Sequence, residues 1–224
     1  MRQLALDITA PPAPAFGNFI VGRNAELLAH LRAAIDNAGE RFVYLWGEPG
    51  SGRTHLLRAA AAHGHYVQCD AHSHQDTFSD SATLLAADDV ESLGPDAQTA
   101  LFHRYNTLRE QGGSLIASGT VPPVQLALRA DLLTRLAWGL VVQVHALSDG
   151  EKAQALAGHA KARGFTLPGE VIAYLLTHAP RDMGALFAML DALDRYSLET
   201  KRAVTVPLVR EFLNTSIKSN SYEL

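Results

Sequence analysis

The chain has 224 residues and a formal net charge of −4, from 19 Lys and Arg against 23 Asp and Glu. With 47% hydrophobic and 19% charged residues it is neither disordered nor fibrous, and a chain this long can bury roughly 70% of its unfolded surface without staples. The lone Cys69 excludes a disulfide framework, and the mild acidity argues against a domain whose main task is gripping phosphate backbones.

Residues 1–16 read as a tail, in which Pro11-Pro12-Ala13-Pro14 forms a stiff spacer. The apolar run at its start is too short for a signal peptide, and no stretch reaches ~18 apolar residues, so a cytoplasmic protein without membrane contact is expected. The spacing of Leu27, Leu28, Leu31 and Ile35 predicts a helix over 24–37, with Asn24 as its cap and Gly39 beyond its end.

Five short apolar runs follow, at 42–46, 66–69, 83–87, 114–117 and 140–144. Helical patterns at about 53–63, 95–110 and 130–137 separate them, which predicts an α/β domain with a five-stranded, mainly parallel sheet covered on both faces. Residues 71–82 read as a polar loop. From Leu147 the pattern is all-helical: Ser148-Asp149-Gly150-Glu151 is a capping box opening a helix to about Arg163. Further helices follow Pro168, span about 181–197 and start near Pro207, the last after a short 203–206 segment. The expected division is a tail at 1–16, a nucleotide-type α/β domain at 17–147 and a small helical lid at 148–224.

Gly47-Glu48-Pro49-Gly50-Ser51-Gly52-Arg53-Thr54 lies between a strand and a helix, the setting a phosphate-binding loop requires. Glycines let backbone N–H groups turn inward around phosphate oxygens, and the helix start adds positive potential. Gly47, Pro49, Gly50, Ser51, Gly52, Arg53, Thr54 and His55 are the candidate nucleotide residues, with Arg53 in place of the usual lysine. Thr54 and Asp88 are candidate Mg²⁺ ligands for bound ADP or ATP, and Asp89 is a candidate to orient water. His72, His74, Asp70 and Asp76 can be drawn as a metal cluster, but their spacing fits no standard site and solvated loop residues are the simpler reading.

The glycine loop, the strand ending Asp88-Asp89, the strand at 114–118, Leu132-Leu133-Thr134-Arg135-Leu136-Ala137-Trp138-Gly139 and Arg181-Asp182-Met183 occur in the order of the DnaA/Hda family of AAA+ proteins. The chain resembles that family over nearly its whole length, on the side of its short regulatory inactivators. Where an initiator would continue into a DNA-binding domain, residues 214–224 are too short to supply one. The resemblance implies that Arg135 is an arginine finger acting in trans and that Arg181 contacts the domain's own nucleotide. It further implies that Gln3, Leu4, Leu6 and Ile8 form an extended peptide for the DNA polymerase III sliding clamp. The partners implied are DnaA and that clamp, with a homo-oligomer open and DNA reached mainly through the clamp. Asp7 replaces the family's proline, and Ser118-Gly119-Thr120 lacks its Asp-Arg pair. Together with Arg53, this implies a nucleotide-holding regulator with weak or no ATPase activity of its own. An autonomous AAA+ ATPase, such as a helicase loader or a stripped initiator, is the alternative, and a P-loop kinase a more distant one.

Overall fold

The strands set the architecture, because their side chains are apolar on both faces. β1 (Phe42–Trp46), β2 (His65–Gln68), β3 (Leu84–Asp88), β4 (Ser114–Gly119) and β5 (Leu140–Gln143) form one parallel sheet in the order β2-β3-β4-β1-β5. Every residue of β3 and β4 is buried, as expected of a parallel sheet sandwiched between helices. The computed structural model describes residues 12–78, 81–179 and 182–220, and of 215–220 only the backbone.

The two-residue period of a strand divides the core in two. Phe42, Tyr44, Leu85, Ala87, Leu115 and Ala117 face one way and pack with α3 (Pro95–Glu110) and α4 (Ala130–Trp138). Val43, Leu45, Leu84, Ala86 and Ile116 face the other way, against α1 (Ala25–Ile35) and α2 (Arg53–Ala60). The chain divides into two compact units, and Ala13–Ala146 is the first.

The second unit, comprising Leu147–Leu224, holds α5 (Asp149–Ala162), α6 (Gly169–His178), α7 (Met183–Thr200) and α8 (Val206–Asn220). It has a core of its own, around Leu156, Val171, Leu175, Leu190, Leu193, Leu208 and Phe212. Its opening capping box forms in full: Ser148 Oγ accepts from Glu151 N while Glu151 Oε2 accepts from Ser148 N at 2.8 Å. No helix among the described residues is long and apolar enough to cross a membrane.

Several local expectations are corrected. Asn24 precedes α1 but makes no side-chain cap; its amide is spent on the backbone of His145, donating to its carbonyl at 2.9 Å and accepting from its N–H at 2.8 Å. The helix expected to reach residue 63 ends at Ala60 and tightens into a 3₁₀ turn at Ala61–His63. Within the polar stretch 71–82, a 3₁₀ turn at Gln75–Phe78 buries Phe78 in the core. The helix expected from 181 starts at Met183, where the Asp182 carboxylate accepts from Ala185 N at 2.7 Å as an N-cap. The last helix, expected to start near Pro207, begins one residue earlier at Val206.

Candidate functional site

The glycine loop sits where β1 leaves the sheet and α2 begins. Gly52 occupies the position before α2 with φ near +100°, which a residue with a Cβ rarely adopts. A Cβ there would meet the Phe19 ring at 2.7 Å, and one at Gly47 would meet the Val144 carbonyl at 2.4 Å. The loop is thus held from both sides by neighbours that tolerate only hydrogen at these two positions. His55 ties the same corner down: its Nε2 lies 3.0 Å from the Ala15 carbonyl and its ring 5.5 Å from Phe19.

Two polar side-chain atoms in this loop are buried and lack a partner, Ser51 Oγ and Arg53 Nη1. An orphaned buried donor costs free energy. Here both orphans belong to a loop whose backbone is shaped to hold an anion, so the residues present fit nucleotide phosphates. The other arm of the Arg53 guanidinium is engaged, with Nη2 3.2 Å from Asp89 Oδ1.

Asp88 and Asp89 are placed at the carboxyl end of β3 by a polar ring that runs through three strands. Ser118 on β4 donates its hydroxyl to Asp88 Oδ1 and accepts from the Asp89 N–H at 3.1 Å. On the edge strand β2, Tyr66 lies opposite Ala86 and Gln68 opposite Asp88. The Tyr66 hydroxyl lies 3.0 Å from Asp88 Oδ2 and 2.7 Å from Gln68 Oε1, and Gln68 Nε2 donates to Asp89 Oδ2 at 3.1 Å. Asp88 is fully buried, while Asp89 turns out with φ 56° and ψ 53°, a left-handed conformation that Asp tolerates better than most residues. Each Asp88 oxygen keeps a second lone pair, so it can still accept from a metal-bound water.

The electrostatics follow from this crowding. Burial, and secondarily the Asp88 charge, raise the Asp89 carboxyl above the ordinary range, against the opposing pull of Arg53. Burial likewise pushes the Tyr66 phenol up to about 12, so it stays a donor at neutral pH. Glu91 completes the wall: Oε1 accepts from Thr120 N at 2.8 Å, and Oε2 is buried without a partner.

The structure therefore brings the glycine loop and the acidic pair together through Arg53 and Asp89. Tyr66, Gln68, Ser118 and Glu91 surround the acidic pair although none of them is a candidate residue of the sequence motifs. The signal for the first two was an i, i+2 polar pair inside an apolar run. Ser118 supplies the polar contact at the end of β4 where the Asp-Arg pair is missing. Arg135 lies elsewhere, in the last turn of α4. Its guanidinium lies over the rings of Trp138, Phe102 and Tyr105 at 4.7, 5.7 and 5.8 Å. Gln3, Leu4, Leu6, Ile8 and Arg181 fall outside the described residues. In the 70–76 stretch, Asp70 Oδ1 accepts from His72 N and Ser73 Oγ, and no three metal-type side chains converge among the described residues.

Residues 149–213 match the family model described as Hda, lid domain. The fold is similar to domain III of the Thermotoga maritima initiator DnaA, with a TM-score of 0.70 at 20% identity over 91% of this chain and 96% of that one. It is also similar to AMPPCP-bound DnaA from Aquifex aeolicus (TM-score 0.66, 22% identity, 83% of this chain and 66% of that chain), so this chain spans about two thirds of that protein. A third similar structure is the Thermotoga maritima RuvB branch migration motor, with a TM-score of 0.65 at 16% identity over 90% and 70% of the two chains. At such identities the likeness is one of fold, and the family model speaks for the helical unit alone. The helical unit thus matches the Hda lid domain, and the fold is similar to that of domain III of DnaA.

Proposed function

We propose that this protein is a negative regulator of chromosomal replication initiation, one that holds a nucleotide, docks on the DNA polymerase III sliding clamp and triggers hydrolysis of DnaA-bound ATP. The observation that carries the reading is the match of residues 149–213 to the Hda lid, on a chain whose other unit presents Arg135 on aromatic rings. In this reading the loop from Gly47 to His55, with Arg181, holds ADP or ATP. Ser51 Oγ and Arg53 Nη1 donate to phosphate oxygens, and Thr54 and Asp88 hold Mg²⁺, which screens the phosphate charge. Gln3, Leu4, Leu6 and Ile8 engage the clamp, so DNA is reached indirectly and a basic face is not needed. Arg135 enters the partner's site and stabilises charge developing on the transferred phosphoryl group, an effect on the order of 10³–10⁵ in finger-dependent systems.

The test is hydrolysis of ATP bound to DnaA, with and without clamp loaded on DNA. Arg135→Ala should abolish stimulation while leaving folding and clamp co-elution intact, and full stimulation by that variant sinks the assigned role. Gln3→Ala combined with Leu6→Ala should remove co-elution with the clamp; unchanged co-elution refutes the tail reading. The buried Asp88 beside Asp89 favours one second reading, an autonomous ATPase. That reading predicts substantial turnover by the purified protein alone, lost on Asp88→Asn.

A further inference from the structure

Trp138 ends α4 with 58% of its surface exposed. Over its ring lie two guanidinium groups, Arg109 from the last turn of α3 at 4.5 Å and Arg135 at 4.7 Å. Among the described residues, Arg53, Arg129, Arg163 and Arg202 make ion pairs, whereas Arg109 and Arg135 are recorded on aromatic rings. Two cations that share one ring lie within a Debye length and repel each other; the carboxylate in electrostatic range of the adjoining Tyr105 is Glu40, whose Oε1 accepts from Phe42 N at 3.0 Å.

The choice of a π-face over a carboxylate has a chemical consequence. A carboxylate would take up two of the guanidinium's N–H donors and neutralise its charge. An aromatic ring attracts the cation through its quadrupole and leaves the donors unspent. It also restricts a side chain whose rotamer freedom is among the largest of any residue. The surface therefore holds a guanidinium in place without satisfying it, as an anion-seeking group requires.

We propose that Trp138 is the positioning residue of the trans-acting arginine: its indole holds the Arg135 guanidinium ready for the terminal phosphates of a nucleoside triphosphate bound by the partner AAA+ protein. This rests on the reading of Arg135 given above. Phe102 and Tyr105 flank the same guanidinium at longer range. Arg109 shares the platform without being the finger, so its removal leaves Arg135 seated.

The experiment measures hydrolysis of DnaA-bound ATP with DNA-loaded clamp, as a function of the concentration of this protein. Trp138→Ala should lower the maximal stimulated rate roughly three- to thirtyfold, the range of a cation–π contact between exposed and desolvated limits. The concentration giving half-maximal stimulation should stay within about twofold, because docking is unaltered. Trp138→Phe should restore most of the rate, and Arg109→Ala should keep it within about twofold. A full maximal rate for Trp138→Ala overturns the inference, as does a change confined to the half-maximal concentration, or a phenylalanine no better than alanine. Loss of stimulation in Arg109→Ala equal to that in Arg135→Ala also overturns it. Full activity of Arg135→Ala instead overturns the underlying reading, so the two failures are distinguishable. A readout without any partner completes the test: in a Trp46→Phe background, Arg135→Ala should alter Trp138 emission and weaken its quenching by iodide, and unchanged spectra count against the platform.

Discussion

A double-mutant cycle on Arg53 and Asp89 tests the link between the glycine loop and the acidic pair. The contact is 3.2 Å, between side chains 9% and 32% exposed. Exposed pairs contribute about 0.2–1 kcal/mol, whereas breaking a buried pair costs about 3–5 kcal/mol. This pair lies between those limits, so the coupling expected is about 1–2 kcal/mol. Arg53→Ala should cost more than the coupling alone, because the buried stem of the arginine also packs. The assay is urea unfolding at neutral pH without nucleotide, followed by emission of Trp46 and Trp138, both of which lie in the Ala13–Ala146 unit. Arg53→Ala, Asp89→Ala and the double variant complete the cycle. The coupling needs an ionised Asp89, so it is present at neutral pH and is lost as pH falls through the Asp89 pKa. Burial and Asp88 raise that pKa, so the loss begins above the ordinary aspartate value of about 3.9. A coupling below about 0.3 kcal/mol at neutral pH, or one that persists after Asp89 is protonated, refutes the reasoning.

Three further outcomes are expected. A carboxyl whose folded pKa is raised destabilises the fold at pH above that pKa, and the penalty fades as pH falls toward the unfolded value; Asp89→Asn should therefore be more stable than the parent at neutral pH in urea melts, with the difference closing toward pH ~4. Asn24→Ala removes both hydrogen bonds to the backbone of His145 and should lower stability by about 2 kcal/mol, against a few tenths if the residue acted only as an exposed cap. Gly52→Ala places a Cβ at φ +100° and 2.7 Å from Phe19; melting should show a loss of about 1–2 kcal/mol, and calorimetry weaker ADP binding, with neutral behaviour in both counting against a strained loop.

What could be read from the sequence was whatever lies in local pattern. Buried strands such as Leu84-Leu85-Ala86-Ala87 are apolar throughout, and the glycine loop carries its own punctuation, so both are visible in one dimension. The capping box at Ser148 is equally local and forms as written. Asn24 shows where this fails: it stands where a cap belongs, but its amide is claimed by His145, 121 residues away. The same holds at the acidic pair. Tyr66 and Gln68 reach Asp88 and Asp89 only because β2 pairs with β3 in one register, and register is a tertiary fact. Tyr105 reads as an ordinary core position of an amphipathic helix and is buried as one, but its ring also lies beneath Arg135.

Two arginines show how environment, rather than residue type, divides roles within the same unit. Arg53 and Arg135 carry the same guanidinium and are both largely withdrawn from water. Arg53 is buried at the first position of α2, with one arm on Asp89 and the other orphaned. A guanidinium half neutralised in this way can bind a resident anion but cannot leave, because departure would strand Asp89 beside Asp88 in a buried site. Arg135 rests on π-faces that leave its donors unspent, so it can meet another molecule's phosphates while still seated and strands no charge behind it. The cation–π contact, about 0.5–2 kcal/mol, is then kept while the finger acts, alongside the several kcal/mol a finger supplies to a phosphoryl-transfer transition state. Exchanging the two settings, by placing a carboxylate at Trp138, should bind Arg135 to its own surface and silence it in the DnaA hydrolysis assay. A Trp138→Glu variant that still stimulates fully would show that the freedom of Arg135 does not depend on what it rests upon.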